Sequence, residues 1–250
     1  MKDNIIEFLY PEKTESVLKD VFPIRSALNL PDWYKKIKHD HKTRTIKGCI
    51  PFLDALSAAY ILKMPQDFFI KHNYTQGTKK DSSFKYAYEK SDLFINQLKL
   101  NMNTGPELHN IIQLGGKEGG CPFVEKNSNL PFYKILNPFR IKTPPGYSCL
   151  FVPPLNNSDD RFEIISGIVD TDTFPTYINF PIVLNGDKYP VLETIIERGT
   201  PYAQVIPFKR EAWKMKIKKD NIEKEVGLLS IQGMLVRAYK KLFWNKKSWK

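Results

Sequence analysis

Two carboxylates stand one residue apart at the end of an apolar run, Asp170 and Asp172 in RFEIISGIVDTD (161–172). A glutamine, Gln204, sits in the middle of another apolar run, ERGTPYAQVIPFKRE (197–211). Acids at i and i+2 share one face of a regular strand. That arrangement permits a divalent cation such as Mg2+ without requiring one. Together these residues point to a nucleotide pocket built on strands. Each also has an architectural reading. Asp170 can accept backbone N–H groups at a turn, and Gln204 can brace two strands from inside a barrel.

Other chemistry is poorly supplied. His39 and His41 have the spacing of two ligands on one strand face, but no cysteine lies beside them. No residue is therefore assigned to a metal. The glycine cluster in LGGKEGG (114–120) lacks the strand-then-helix setting and the following Lys-Ser/Thr of a phosphate loop, and reads as a connector. No G-x-S-x-G occurs, and the four histidines at 39, 41, 72 and 109 fall outside the dense strand region. The H-x-E and P-C-x-x-C motifs of a zinc deaminase are also missing. Cys49, Cys121 and Cys149 have apolar neighbours and no C-x-x-C, so reduced, buried thiols in a cytoplasmic setting are expected.

A chain of 250 residues, 42% of them hydrophobic, can bury a full core. Aromatics at 13% and 18 prolines favour strands and loops. No apolar run approaches membrane-spanning length, and the N-terminus has no signal-type apolar segment. Residues 1–48 read as an irregular arm with a short helix near ESVLKDVF. In 49–74, PFLDALSAAY begins as a helix or a wide turn, and YILKMPQDFFI predicts two short strands broken at Met64-Pro65. Polar stretches, a short helix near SDLFINQLKL and the glycine cluster make about 73–130 a loop-rich insertion. Strand signals then become dense. FEIISGIV reads as one buried strand, and Asn-Gly-Asp after YINFPIVL predicts a hairpin. TPYAQVIPF reads as the last strand.

Net charge is +11, and from Lys209 to Lys250 thirteen Lys and Arg stand against four Asp and Glu. Ile231, Met234, Leu235, Ala238 and Leu242 recur at helical spacing with Arg237, Lys240 and Lys241 between them, which predicts an amphipathic helix with a basic face. Lys209, Arg210, Trp213, Trp244, Lys246, Lys247 and Trp249 extend that basic, aromatic surface. It suits an acidic protein partner, or nucleic acid through phosphate contacts and base stacking. A simple solvated helix remains the plain alternative.

PPGYSCLF (144–151), SGIVDTDTF (166–174) and RGTPYAQVIP (198–207) resemble, in order, three motifs of the dUTPase and dCTP deaminase superfamily. That resemblance implies a mainly β fold, the distorted antiparallel barrel called a β-clip, spanning 49–210. It also implies a nucleotide pocket of Tyr147, Asp170, Phe174, Tyr177 and Gln204, with Asp170 activating water, an aromatic stacking on the sugar, and a possible homotrimer. TIKGCIPFLDA, NPFRIKTPPGYS and GTPYAQVIPFKRE further resemble an uncharacterised phage and bacterial family of unknown function, which implies a viral setting. The enzyme pattern breaks at several places. The metal carboxylate of the superfamily falls on Ile61, its Arg-Ser pair on Pro153, Pro154 and Leu155, and its last arginine on Pro201 or Tyr202. Phosphoryl transfer depends on positioned charge. The expectation is thus a non-catalytic phage-type β-clip protein, without a cofactor, serving in binding or virion assembly in the host cytoplasm or the particle. Residues 211–250 would be its basic helix and tail. The alternatives are a divergent nucleotide-binding protein or hydrolase using Asp170, Asp172 and Gln204 with Mg2+, and nucleic-acid binding by the C-terminal segment.

Overall fold

Short apolar–polar alternations, each stopped by Pro, Gly or Asn, favour many brief strands over a few long ones. The computed structural model describes residues 4–39, 45–73, 83–86, 107–109, 113, 120–127, 132–219 and 238–249. Fourteen strands form four antiparallel sheets among them. The largest has five strands in the order β11 (Gly167–Val169), β9 (Tyr147–Val152), β14 (Pro201–Lys209), β3 (Tyr60–Lys63) and β2 (Ile24–Arg25). A four-stranded sheet runs β10 (Phe162–Ile164), β12 (Asn179–Leu184), β7 (Phe132–Leu136) and β6 (Glu107–His109). The third runs β13 (Val191–Ile196), β4 (Phe68–Asn73) and β5 (Ser83–Tyr86), and the smallest pairs β1 (Glu7–Leu9) with β8 (Arg140–Lys142).

Short helices punctuate the strands: α1 (Glu15–Leu18), α2 (Asp32–Lys36), α3 (Ile50–Ser57), α4 (Pro122–Lys126) and α5 (Ala238–Leu242). Pro51 and Pro122 fall in the first turns of α3 and α4, where a missing N–H costs no hydrogen bond. Segments 1–48 supply β1 and β2, which pair with β8 and β3, so the N-terminal region is stitched into the sheets.

The core lies between sheets. Phe180 of β12 meets Phe151 of β9 and Tyr202 of β14 edge to face, both at 5.4 Å between ring centres. Phe68 and Ile70 of β4 and Ile196 of β13 close the same cluster from the third sheet. Truncating a buried phenylalanine in such a core costs about 3–5 kcal/mol.

The expected β-clip barrel is not formed. The sheets are open, and the architecture mixes helices with antiparallel strands instead of being mainly β. Closure needs the two edge strands of one sheet to pair, whereas the five-stranded sheet ends on β11 and β2, only three and two residues long. Two local readings fail for the same reason. FEIISGIV is split at Ile165-Ser166 into β10 and β11, which enter different sheets, and Ile168 is exposed. Asn185-Gly186-Asp187 does not make a hairpin, because β12 pairs with β10 and β7 while β13 pairs with β4. There Asn185 uses its side chain to organise a longer turn, donating to Asp160 O and accepting from Lys188 N–H. The break at Met64-Pro65 does separate β3 from β4. The insertion's polar stretch, its SDLFINQLKL helix and most of its glycine cluster lie outside the described residues, as do Ile231, Met234, Leu235, Arg237 and His41.

Candidate functional site: an acidic turn and a basic arm

The turn before β9 and the turn after β11 are neighbours because those strands pair, with Val169 opposite Cys149. Asp170 therefore faces Ser148, whose hydroxyl donates to Asp170 Oδ1 at 2.6 Å. Gly146 closes the Pro144-Pro145-Gly146 turn at φ +86°, a left-handed conformation that favours glycine. Its N–H donates to Asp172 Oδ2 at 2.8 Å, and its carbonyl accepts the Arg210 N–H at 2.8 Å.

Arg210 follows the last residue of β14, and β14 runs beside β9, with Lys209 opposite Tyr147. Its guanidinium grips Asp172 with both nitrogens, Nη1 to Oδ1 at 2.9 Å and Nη2 to Oδ2 at 2.5 Å. Nη1 also donates to Ser148 Oγ and Tyr147 O and lies 3.2 Å from Asp170 Oδ1. The Asp172 side chain is only 6% exposed, Asp170 61%. The Arg210 hydrogen bonds, helped by the Gly146 N–H, hold the Asp172 carboxyl at about 2. Behind this knot, Thr143 and Thr171 hydroxyls share a 2.7 Å hydrogen bond, and Thr171 donates to the buried Cys149 sulfur.

The five residues expected in one nucleotide pocket do not converge. Tyr147, Asp170 and Phe174 lie at the Arg210 end of the sheet. Phe174 donates its N–H to Asp170 O and leaves its ring 39% exposed, and Tyr177 is half-buried. Gln204 pairs opposite Val152, four residues along β9 from Ser148, or roughly 13 Å at the usual strand rise. Gln204 is 1% exposed, donates to the carbonyls of Ala55 and Ala58, and accepts from Leu155 N–H. It ties α3 and the loop after β9 to the centre of the sheet. Among the described residues, no group of three or more His, Cys, Asp and Glu is placed to hold a metal ion.

Beyond Arg210 the chain leaves the sheet. Residues 211–219 form no helix or strand and are exposed throughout. Trp213, Met215 and Ile217 are 87%, 89% and 87% exposed, and they alternate with Lys214, Lys216 and Lys218. Lys209 pairs with Glu211 at the root of this arm. The C-terminal end behaves differently. Trp244 Nε1 donates to Asp54 Oδ2 at 2.9 Å, Lys247 Nζ reaches the same oxygen at 2.7 Å, and Trp249 packs edge-on against Tyr60. Lys240, Lys241 and Lys246 stay exposed. The basic tail thus divides into a free arm and a strap folded onto α3. Sequence periodicity marked the charge but not this division, and it missed Gly146 and Ser148, whose roles depend on the β9–β11 pairing.

No protein-family model and no curated protein matches the chain. The resemblances to the dUTPase and dCTP deaminase superfamily and to the phage and bacterial family are corrected accordingly, and the viral setting they implied goes with them. The shared motifs are short and rich in turn residues. Pro-Pro-Gly-Tyr and Val-Asp-Thr-Asp here build a strand-end knot in open sheets, not a barrel wall.

Proposed function

We propose that this protein is a non-catalytic binding component that engages an acidic protein surface through the arm at 211–219. The exposure of Trp213, Met215 and Ile217 carries this reading. Three large apolar side chains almost wholly in water on one short segment mark an interaction element. Drawn out as a strand on a partner, the segment would send alternate side chains to opposite faces, one apolar and one cationic. That pattern matches strand addition to a partner sheet, where backbone bonds give affinity and alternate side chains give specificity. The lysine face calls for carboxylates opposite it. Nucleic acid would use the lysines and Trp213 but has no need of Met215 and Ile217.

The acidic turn supports the non-catalytic part of the reading. Arg210 beside it is engaged by the two carboxylates themselves. A metal there would have to displace a bidentate guanidinium, and a triphosphate would meet carboxylates whose counter-charge is already committed. Among the described residues no helix is long and apolar enough to cross a membrane. The cysteines are free thiols, and a reducing cytoplasmic setting belongs to the same proposal.

Titrating labelled polyglutamate and single-stranded DNA with the intact chain tests the assignment. Polyglutamate should bind, weaken with salt, and lose at least about tenfold in affinity in the Lys214→Glu/Lys216→Glu/Lys218→Glu variant. Tighter binding of DNA, or equal binding of polyglutamate by the variant, would overturn it.

A further inference from the structure

A cavity of about 640 Å³ opens where the segment before β1, the five-stranded sheet and the C-terminal strap meet. Its size suits a drug-sized or short-peptide ligand. Tyr60, Tyr147 and Trp249 line it with aromatic rings, and Pro144 and Pro207 with apolar ones. None of the described residues lining it is charged. Arg25 and Arg210 border these walls, donating to Trp249 O and to Tyr147 O and Asp172. Polar groups sit at the tips of the rings. The Tyr147 hydroxyl accepts from Asn4 Nδ2 at 2.7 Å and keeps its own proton to donate. The Trp249 indole N–H is a donor only.

We propose that this cavity binds an uncharged, proline-rich segment of another protein in the polyproline II conformation. Such a segment has no N–H at its prolines and turns its carbonyls outward as acceptors. A groove of tyrosine and tryptophan rings with donors at their edges meets both needs: ring faces for the pyrrolidines, N–H and O–H groups for the carbonyls. The segment enters already extended and stiff, so little conformational freedom is lost on binding.

One wall depends on a residue outside the cavity. Trp249 rides on the strap, which Asp54 fastens through Trp244 and Lys247 and which Arg25 holds by donating to Trp249 O at 3.3 Å. Asp54 is therefore a positioning residue for the site. The cavity and the arm both lie at the Lys209–Tyr147 end of β14's pairing with β9, but no residue of the arm lines the cavity.

Calorimetric titration of the full chain with a blocked decaproline peptide, and separately with adenosine, tests the proposal. Decaproline should bind. Tyr147→Ala and Trp249→Ala should each weaken it at least about tenfold. Trp249→Phe, which keeps a ring and guards against a folding artefact, should retain more binding than Trp249→Ala. Asp54→Asn should weaken binding with no contact to the peptide, and the triple lysine reversal on the arm should leave it unchanged. No heat with decaproline at millimolar concentration, or unaltered binding in both alanine variants that melt like the parent, would overturn the proposal. So would binding of adenosine in its place.

Discussion

Arg210 and Asp172 face each other through two parallel hydrogen bonds, 2.9 and 2.5 Å long, across a separation of 38 residues in the chain. Gly146 N–H adds a third bond to the same carboxylate. This joint fastens the end of β14 to the turns flanking β9 and β11, just where the arm departs. Arg210→Ala and Asp172→Asn should each lower the melting temperature. The double variant should fall by less than the sum, because both changes break one joint. Additive losses in a thermal-melt cycle would show that the two residues act separately.

The same joint sets a pH response. Asp172 titrates at about 2 when folded, below its ordinary 3.8. A depressed carboxylate contributes stability that is fully present above the unfolded value and is lost as pH falls through the folded one. Melting curves of the parent should therefore drop between about pH 4 and pH 2 more than those of Asp172→Asn. Parallel curves for the two proteins would contradict this.

Gln204 joins three backbone groups: it is the acceptor for Leu155 N–H, and it shares Ala55 O with Ala58 N–H and Ala58 O with the Ser26 hydroxyl. Gln204→Leu should cost about 1–3 kcal/mol by denaturant unfolding, since Leu155 N–H loses its acceptor. A loss below about 1 kcal/mol would mean that water replaces the side chain at little cost.

The three thiols should separate by reactivity. Cys149 is fully buried, and burial pushes its thiol up to about 11 despite the Thr171 hydrogen bond. Cys49, expected from its apolar neighbours to be buried, is exposed because it sits at the N-terminal cap of α3. Iodoacetamide at pH 8 should modify Cys49 rapidly and Cys149 only on unfolding. Fast alkylation of Cys149 in the folded chain would contradict the placement.

Incubation with each dNTP and Mg2+ or Mn2+ should release no pyrophosphate above the protein-free rate. Release that Asp170→Asn abolishes would make the acidic turn a reaction centre.

Local signals were legible where one residue decides the geometry. Proline at 65 ends one strand before the next begins, and the apolar run TPYAQVIPF marks β14 directly. What the sequence does not carry is which strands pair over long range. Asn185-Gly186-Asp187 has hairpin chemistry, yet the strands on either side bury their apolar faces in different sheets. Arg210 looked like a solvent-facing cation of a basic tail. Only the register of β14 on β9 brings it onto Asp172. The lysines at 214, 216 and 218 were legible as charge, while the water exposure of Trp213, Met215 and Ile217 between them depends on the chain leaving the sheet at Arg210.

Amide hydrogen exchange across 211–219, followed with and without saturating polyglutamate, tests most directly whether the arm is an open docking element. The account predicts rapid exchange in the free chain and clear slowing in that segment on binding, with α3 and β14 unchanged. Protection already present in the free chain, or exchange indifferent to the bound polyanion, would contradict it.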